Sequence, residues 1–278
     1  MRIYHSFEDW RRSSEWAFRK APVGFVPTMG ALHDGHASLI RKARRELGDG
    51  GHVVVSVYVN PTQFNDAADF QTYPSTRDSD VKLAEDAGAD ALVFPRSDEL
   101  YPLGVPQRAE PVDYGVLTSH WEASHRRGHF DGVVAVVRSL FRLVDPGRAY
   151  FGEKDWQQLA VISELARREF PRLVVVPVST VREPDGLAMS SRNTRLAPHD
   201  REAAAMLYGA LRAVAEAGGT EYSVEQQTAA LLAKGWKVEY LAVVDAVTLE
   251  IKCDSALSRR VVAAGFCGGV RLIDNLRV

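Results

Sequence analysis

Cysteine is almost missing from this chain. Cys253 and Cys267 are the only two in 278 residues, far apart and with no metal-ligating neighbours, which excludes a disulfide scaffold and a cysteine-built metal centre. Long apolar runs are missing as well. The longest, around residues 53–59, is far too short to span a bilayer. Charge of one sign is missing too: the net charge is −2, so no basic field gathers nucleic acid. The segment Met1 to Trp10 lacks the apolar stretch of a secretory signal. These absences set the expectation of a cytoplasmic protein in a reducing compartment, with neither a membrane nor a nucleic acid as partner.

Two nucleotide-binding signatures are also absent. No Gly-x-Gly-x-x-Gly turn follows a strand pattern, which leaves a nicotinamide cofactor without support. Gly30 and Gly35 have the spacing of a P-loop, yet His36 stands where lysine is required and Ala37 where Ser or Thr is required.

What is present is ordinary in bulk. Apolar residues make up 46% and charged residues 25%, enough for one large α/β domain or two of common size. Apolar runs at 23–26, 53–59, 91–94, 149–151 and 173–178 alternate with segments of helical periodicity, such as Val81, Leu83, Ala84 and Ala87. Strands almost continuous in Val and Ile, separated by helices, predict a parallel sheet covered on both faces. After about Thr180 the pattern changes. A polar loop (182–193) leads to an Ala-rich helix over 198–217, a second helix over 223–234, and short alternating strands at 238–245, 260–264 and 270–273. The expectation is therefore an α/β fold: a Rossmann-like parallel-sheet domain of nucleotidyltransferase type over 1–180, and a smaller α+β domain with an antiparallel sheet over 181–278.

The chemistry concentrates at strand ends. Pro27-Thr28-Met29-Gly30-Ala31-Leu32-His33-Asp34-Gly35-His36 follows the first strong strand and opens a helix through Ser38, Leu39, Ile40 and Ala43. Unpaired N–H groups and the dipole at such a helix start favour an anion, and imidazoles at i and i+3 share one face. Asn60 and Gln63 close the next strand with neutral amides suited to hydroxyls or carboxylates; they serve equally as turn formers. Asp78-Ser79-Asp80 either caps a helix or lets Asp80 hold a magnesium ion through water. The basic run His125-Arg126-Arg127-Gly128-His129 is either a solvated turn or an anion site. Gly152-Glu153-Lys154-Asp155 could bring a lysine to a polyphosphate. Ser190-Ser191-Arg192, near the domain junction, offers hydroxyls and a permanent cation.

Taken in order, Pro-Thr-Met-Gly-Ala-Leu-His-Asp-Gly-His (27–36), Val-Asn-Pro-Thr-Gln-Phe (59–64), Gly-His-Phe (128–130), Phe-Gly-Glu-Lys-Asp (151–155), Val-Arg-Glu (181–183), Met-Ser-Ser-Arg-Asn (189–193) and Arg-Leu-Ile-Asp-Asn (271–275) resemble the pantothenate synthetases, the pantoate–β-alanine ligase family. The resemblance covers essentially the whole chain. It implies ATP-driven condensation of pantoate with β-alanine through pantoyl adenylate, with Mg²⁺ accompanying ATP, and a homodimer. It also implies site roles. His33 and His36 would hold and neutralise phosphates, with His36 a candidate proton donor, and Lys154, Ser190, Ser191 and Arg192 would clamp from the opposite side. Met29, Gly30, Ala31, Leu32, Asp34, Gly35, Gly152, Glu153, Asp155, Val181 and Met189 would complete the ATP site. Gln63 and Gln158 would bind pantoate, and Gln63 would also meet β-alanine.

The chain departs from the family pattern in places: Arg127 where proline is common, Ala123 where glycine is common, Ser79 where some members have a second acid, and an unusual 265–269 stretch. On residues alone, a nucleotidyltransferase passing AMP to a phosphate acceptor and a non-catalytic nucleotide-binding regulator remain open. A metal hydrolase on His33 and His36 lacks a third ligand at suitable spacing.

Overall fold

The computed structural model describes residues 1–13, 21–65, 70–251 and 258–278; Cys253 falls outside these. Six strands, β1 (Arg2–Tyr4), β2 (Val23–Thr28), β3 (His52–Val57), β4 (Ala91–Val93), β5 (Arg148–Gly152) and β6 (Val174–Val178), form one sheet in the order β1-β4-β3-β2-β5-β6. Every adjacent pair is parallel. Period-two alternation sorts the strand residues between two cores. Val26, Val53, Val55, Leu92 and Tyr150 pack with Ala37, Leu39, Ile40 and Ala43 of α2 (Asp34–Leu47), the first helix after α1 (Phe7–Arg12) among the described residues, and with Ala84 of α3 (Arg77–Asp86). Phe25, Val54, Ala91, Val93 and Phe151 pack on the other face with Val133, Val137 and Leu140 of α4 (His129–Val144) and Ile162 of α5 (Trp156–Glu169). Burial on both faces explains the apolar continuity of the strands. β1 carries no such run; it is a three-residue edge strand fixed by pairing Arg2, Ile3 and Tyr4 with Ala91, Leu92 and Val93.

The antiparallel sheet expected beyond the polar loop is β7 (Lys237–Asp245), β8 (Arg259–Cys267) and β9 (Val270–Arg277), in that order. β8 and β9 run longer than their apolar cores because Gly268 and Gly269, at φ +55° and +75°, close a two-residue hairpin with Cys267 paired to Val270. Both central residues of such a turn require positive φ, which explains the unusual glycine pair. One sheet face carries Leu241, Val261, Ala263 and Leu272 against Leu207, Leu211 and Val214 of α6 (Arg201–Glu216) and Leu231 of α7 (Glu221–Ala233). The expected start at Pro198 is instead a separate 3₁₀ turn, Pro198–Asp200.

The opposite face turns back onto the parallel-sheet layer. Val244 and Val262 meet Trp121, Trp156 and Ala160. The two indoles donate to main-chain carbonyls, Trp156 Nε1 to Ala246 at 2.8 Å and Trp121 Nε1 to Leu249 at 2.8 Å. The Arg260 guanidinium lies 3.5 Å over the Trp156 ring, a cation–π contact worth about 1 kcal/mol or more when desolvated.

Gly132 in α4 is where helix and loop backbones meet. A Cβ there would sit 2.4 Å from the Thr62 carbonyl oxygen and 2.7 Å from the Gln63 nitrogen, whereas one on Gly209 of α6 would have no neighbour within 4 Å. Gly132→Ala is expected to destabilise by about 1–3 kcal/mol through overpacking, and Gly209→Ala to stabilise by about 0.5–1 kcal/mol through helix propensity. Urea denaturation of the two variants checks the opposite signs.

Candidate active site

β2 and β5 are neighbours, yet the chain leaves β2 toward β3 and β5 toward β6. The connections diverge, and a crevice opens at the carboxyl ends of these two strands, where open α/β sheets place ligands. The loops after β2 and β5 carry two of the motif segments, 27–36 and 151–155.

The β2 loop is held by a carboxylate. Asp80, 2% exposed, accepts from the Ala31 nitrogen at 3.1 Å through Oδ2 and from the Leu32 nitrogen at 2.8 Å through Oδ1, and also takes the Thr76 hydroxyl at 2.9 Å. It fastens a turn in which Gly30 and Ala31 both have positive φ, +84° and +50°, a conformation that costs about 1–2 kcal/mol for alanine. Asp80, expected either as a helix-start acid or as a magnesium contact through water, has its buried carboxylate on two backbone amides and a hydroxyl. Gly30, Ala31 and Leu32 do not line the cleft, and Asp34 is exposed at the first residue of α2.

His33 is itself the N-cap of α2. Its Nδ1 accepts from the Gly35 nitrogen at 3.1 Å, and Nδ1 of His36 accepts from the His33 nitrogen at 3.2 Å, a capping box made of two imidazoles. Gly35 is required: a Cβ there would lie 2.7 Å from the His33 ring. With both Nδ1 atoms accepting, the ring protons reside on Nε2. Burial, then Lys154, lowers the His33 pKa; burial, then His33 and Lys154, lowers that of His36 to about 3. The rings are therefore neutral donors at pH 7.

Lys154 stands across the crevice on the β5 loop, its Nζ 3.7 Å from Asp155 Oδ1. The loop is fixed from the C-terminal sheet, where Asn275 Nδ2 donates to the carbonyls of Glu153 at 2.8 Å and Lys154 at 2.9 Å. Glu153 turns from the cleft to Arg260, 3.4 Å away. Gly152, Lys154 and Asp155 line the same cavity, of about 260 Å³, as Met29, His33, Gly35 and His36. Val181 and Met189 reach it from a hairpin closed by the Met189 nitrogen on the Val181 carbonyl at 2.9 Å. Ser190, Ser191 and Arg192 follow on its wall, with Ser190 Oγ accepting from the Arg192 nitrogen at 3.3 Å.

Asn60, Gln63, Gln157 and Gln158 all line the cavity, and Asn60 and Gln157 are in addition tied to internal partners. Asn60, 1% exposed, is spent inside: it accepts from Tyr101 Oη at 2.8 Å and donates to the Gly132 carbonyl at 3.1 Å and to Gln63 Oε1 at 3.2 Å. Gln63 lines the cleft with its Nε2 2.7 Å from Met29 Sδ. Gln157 is likewise pinned, donating to the Leu117 and His120 carbonyls at 2.9 Å each, while Gln158 lines the cavity.

The model of the pantoate-β-alanine ligase family matches residues 2–277. The pantothenate synthetase of Bdellovibrio bacteriovorus is 43% identical over 278 residues, covering 100% of this chain and 98% of its own. A crystal structure of the Thermus thermophilus pantothenate synthetase superposes with TM-score 0.89 at 44% identity, covering 99% of each chain. The chain belongs to the pantoate–β-alanine ligase family. It is thus one of the ligases that form the amide bond of pantothenate. The Francisella tularensis ligase, 34% identical with TM-score 0.83 and covering 100% of this chain and 97% of its own, was crystallised with β-γ ATP and β-alanine. Among the described residues no helix is long and apolar enough to cross a membrane, and no group of three or more His, Cys, Asp or Glu side chains converges for a metal.

The family site also draws in residues to which the sequence reading assigned no role. Glu122, Tyr73, Tyr240 and Asn275 line the cleft, each from a different stretch of chain, and of the four only Asn275 lies in one of the ordered motifs, 271–275. Of the basic run, Arg126 and His129 line the cleft, whereas Arg127 is exposed and its carbonyl accepts from Asn65 Nδ2.

Burial, then Arg126, holds His129 at about 3, so His36 and His129 both have folded pKa values far below the unfolded value of about 6.5. Between those limits the unfolded chain binds more protons, so stability is full above about pH 6.5 and falls as pH drops toward 3. The expected loss at pH 5 is at most about 2 kcal/mol per histidine. Denaturant midpoints at pH 7 and pH 5 measure it, and His129→Asn should reduce the difference.

Proposed function

We propose that this chain condenses pantoate with β-alanine at the expense of ATP, by way of pantoyl adenylate. A free carboxylate acylates amines poorly because its oxygen is a poor leaving group. In the first step a pantoate carboxylate oxygen attacks the α-phosphorus of ATP, and the bond to the β-phosphate breaks to release pyrophosphate. In the second, the β-alanine amine attacks the acyl carbon, the bond to AMP breaks, and the nitrogen loses a proton.

The observation that carries this reading is the convergence of two helix-start loops on one crevice beside two carboxamides. Charge develops on the α-phosphate and the departing pyrophosphate, so preorganised donors lower the barrier more than covalent participation does. The Nε2–H groups of His33 and His36 supply such donors without adding charge of their own. Lys154 and Arg192 supply cations, and Ser190 and Ser191 hydroxyl donors. Gln63 and Gln158 suit the acid and hydroxyl groups of pantoate. Mg²⁺ fits as the counter-ion of the triphosphate, because it commonly binds through substrate phosphates and one or two carboxylates; Asp155, beside Lys154, is the cavity carboxylate suited to face it. The homodimer belongs to the same reading and is checked by sedimentation.

Incubation with ATP, Mg²⁺, pantoate and β-alanine is expected to yield AMP and pantothenate, and omission of either acid to abolish pantothenate. His36→Ala and Lys154→Ala are each expected to lower turnover about 10²–10³-fold, the usual cost of a transition-state donor. Near-wild-type turnover by either folded variant would contradict its assignment.

A further inference from the structure

A buried chain of contacts runs from the C-terminal sheet to the loop carrying Gln63, through residues given no part in the chemistry above. Arg271 on β9 forks onto Glu122, Nη2 to Oε1 at 2.6 Å and Nη1 to Oε2 at 2.9 Å, and also meets Glu239 on β7 at 2.7 Å. Tyr240 Oη donates to Glu122 Oε1 at 2.7 Å. One helical turn on, Arg126 Nη1 lies 3.8 Å from Glu122 Oε2 and 3.0 Å from His129 Nε2. His129 Nδ1 then lies 2.8 Å from the Gln63 carbonyl oxygen.

The hydrogens along this chain have one consistent assignment. A guanidinium has no lone pair, so His129 Nε2 accepts from Arg126; a carbonyl has no proton, so His129 Nδ1 donates to Gln63. The imidazole is therefore a neutral, single tautomer. Its burial, with the pKa at about 3, keeps it in that form across physiological pH. Glu122 is 6% exposed and the Arg271 fork outweighs its burial, holding its carboxyl at about 2. Partners removed from such a buried pair leave an uncompensated charge, so the chain has a definite geometry or none.

We propose that Glu122 and His129 are positioning residues that couple the seating of the C-terminal sheet to the orientation of Gln63 toward the acid substrate. This rests on the reading of Gln63 as a pantoate contact. A merely structural ion pair would disturb both substrates and the fold together. A positioning relay acts on the pantoate side, because the nucleotide-side loops are held by bonds that bypass Glu122 and His129: Asp80 to the Ala31 and Leu32 amides, and Asn275 to the Glu153 and Lys154 carbonyls.

The test is a double-mutant cycle in the full-length enzyme with Glu122→Gln and His129→Asn. The asparagine amide can still donate to the Gln63 carbonyl but is too short to accept from Arg126. Each variant is expected to raise KM for pantoate about tenfold, in line with the worth of a hydrogen bond to a charged group, with KM for ATP near wild type. The double variant should match the larger single effect, since both cut one chain. Multiplicative effects, or an equal rise in KM for ATP, would overturn the relay. If Glu122→Gln does not fold, Arg271→Lys, which keeps the charge and loses the fork, enters the same cycle. Wild-type pantothenate formation is the control; its absence would remove the functional reading itself, and the relay with it.

Discussion

Everything in this molecule hangs on the reversal of winding between β2 and β5. Two parallel strands in hydrogen-bonding register, Gly24 beside Arg148 and Phe25 beside Ala149, send their chains away in opposite directions. No connection can cover the gap at their carboxyl ends, so each strand delivers a helix start to its own side of a single crevice. Phosphate chemistry needs donors on more than one side of the reacting phosphorus. The topology meets that need before any particular side chain is chosen.

The side chains then solve a packing problem as much as a chemical one. The turn after β2 holds Gly30 and Ala31 at positive φ, and Asp80 offsets that strain by accepting from the Ala31 and Leu32 amides that would otherwise be left unpaired. The imidazoles of His33 and His36 take over helix capping, and the same hydrogen bonds that cap the helix point Nε2–H outward. On the other wall, Asn275 reaches across from the C-terminal sheet to hold the two carbonyls around Lys154. The second layer of the fold thus serves as the rear support of the Lys154 loop.

Local periodicity and ordered motifs made much of this legible in advance. Strands buried on two faces announce themselves as apolar runs, so β2 through β6 and the α2 face of Leu39, Ile40 and Ala43 were readable from spacing alone. The His33–His36 pair, Lys154 and the 190–192 cluster were readable because each sits in a turn at an element boundary. What escaped was long-range. Asp80 looks like any helix-start acid until its carboxylate is seen beneath a loop 48 residues upstream. Asn60 and Gln63 are chemically alike in sequence, and it takes the distant Tyr101 hydroxyl and Gly132 carbonyl to show that Asn60 is tied to the interior. Glu122 and Arg271 are 149 residues apart, and β1 exists only through its pairing with β4. Propensity holds no information about such partners.

The central claim is that the carboxylate of pantoate is activated at this crevice by adenylation. The fate of its oxygen tests that most directly. With pantoate labelled with ¹⁸O in the carboxylate, attack on the α-phosphorus followed by cleavage of the acyl C–O bond transfers one label to AMP. Mass spectrometry of the products should therefore find ¹⁸O in the AMP phosphate and none in pyrophosphate. Label in inorganic phosphate with ADP as the nucleotide product, or unlabelled AMP beside labelled pantothenate, would contradict the account.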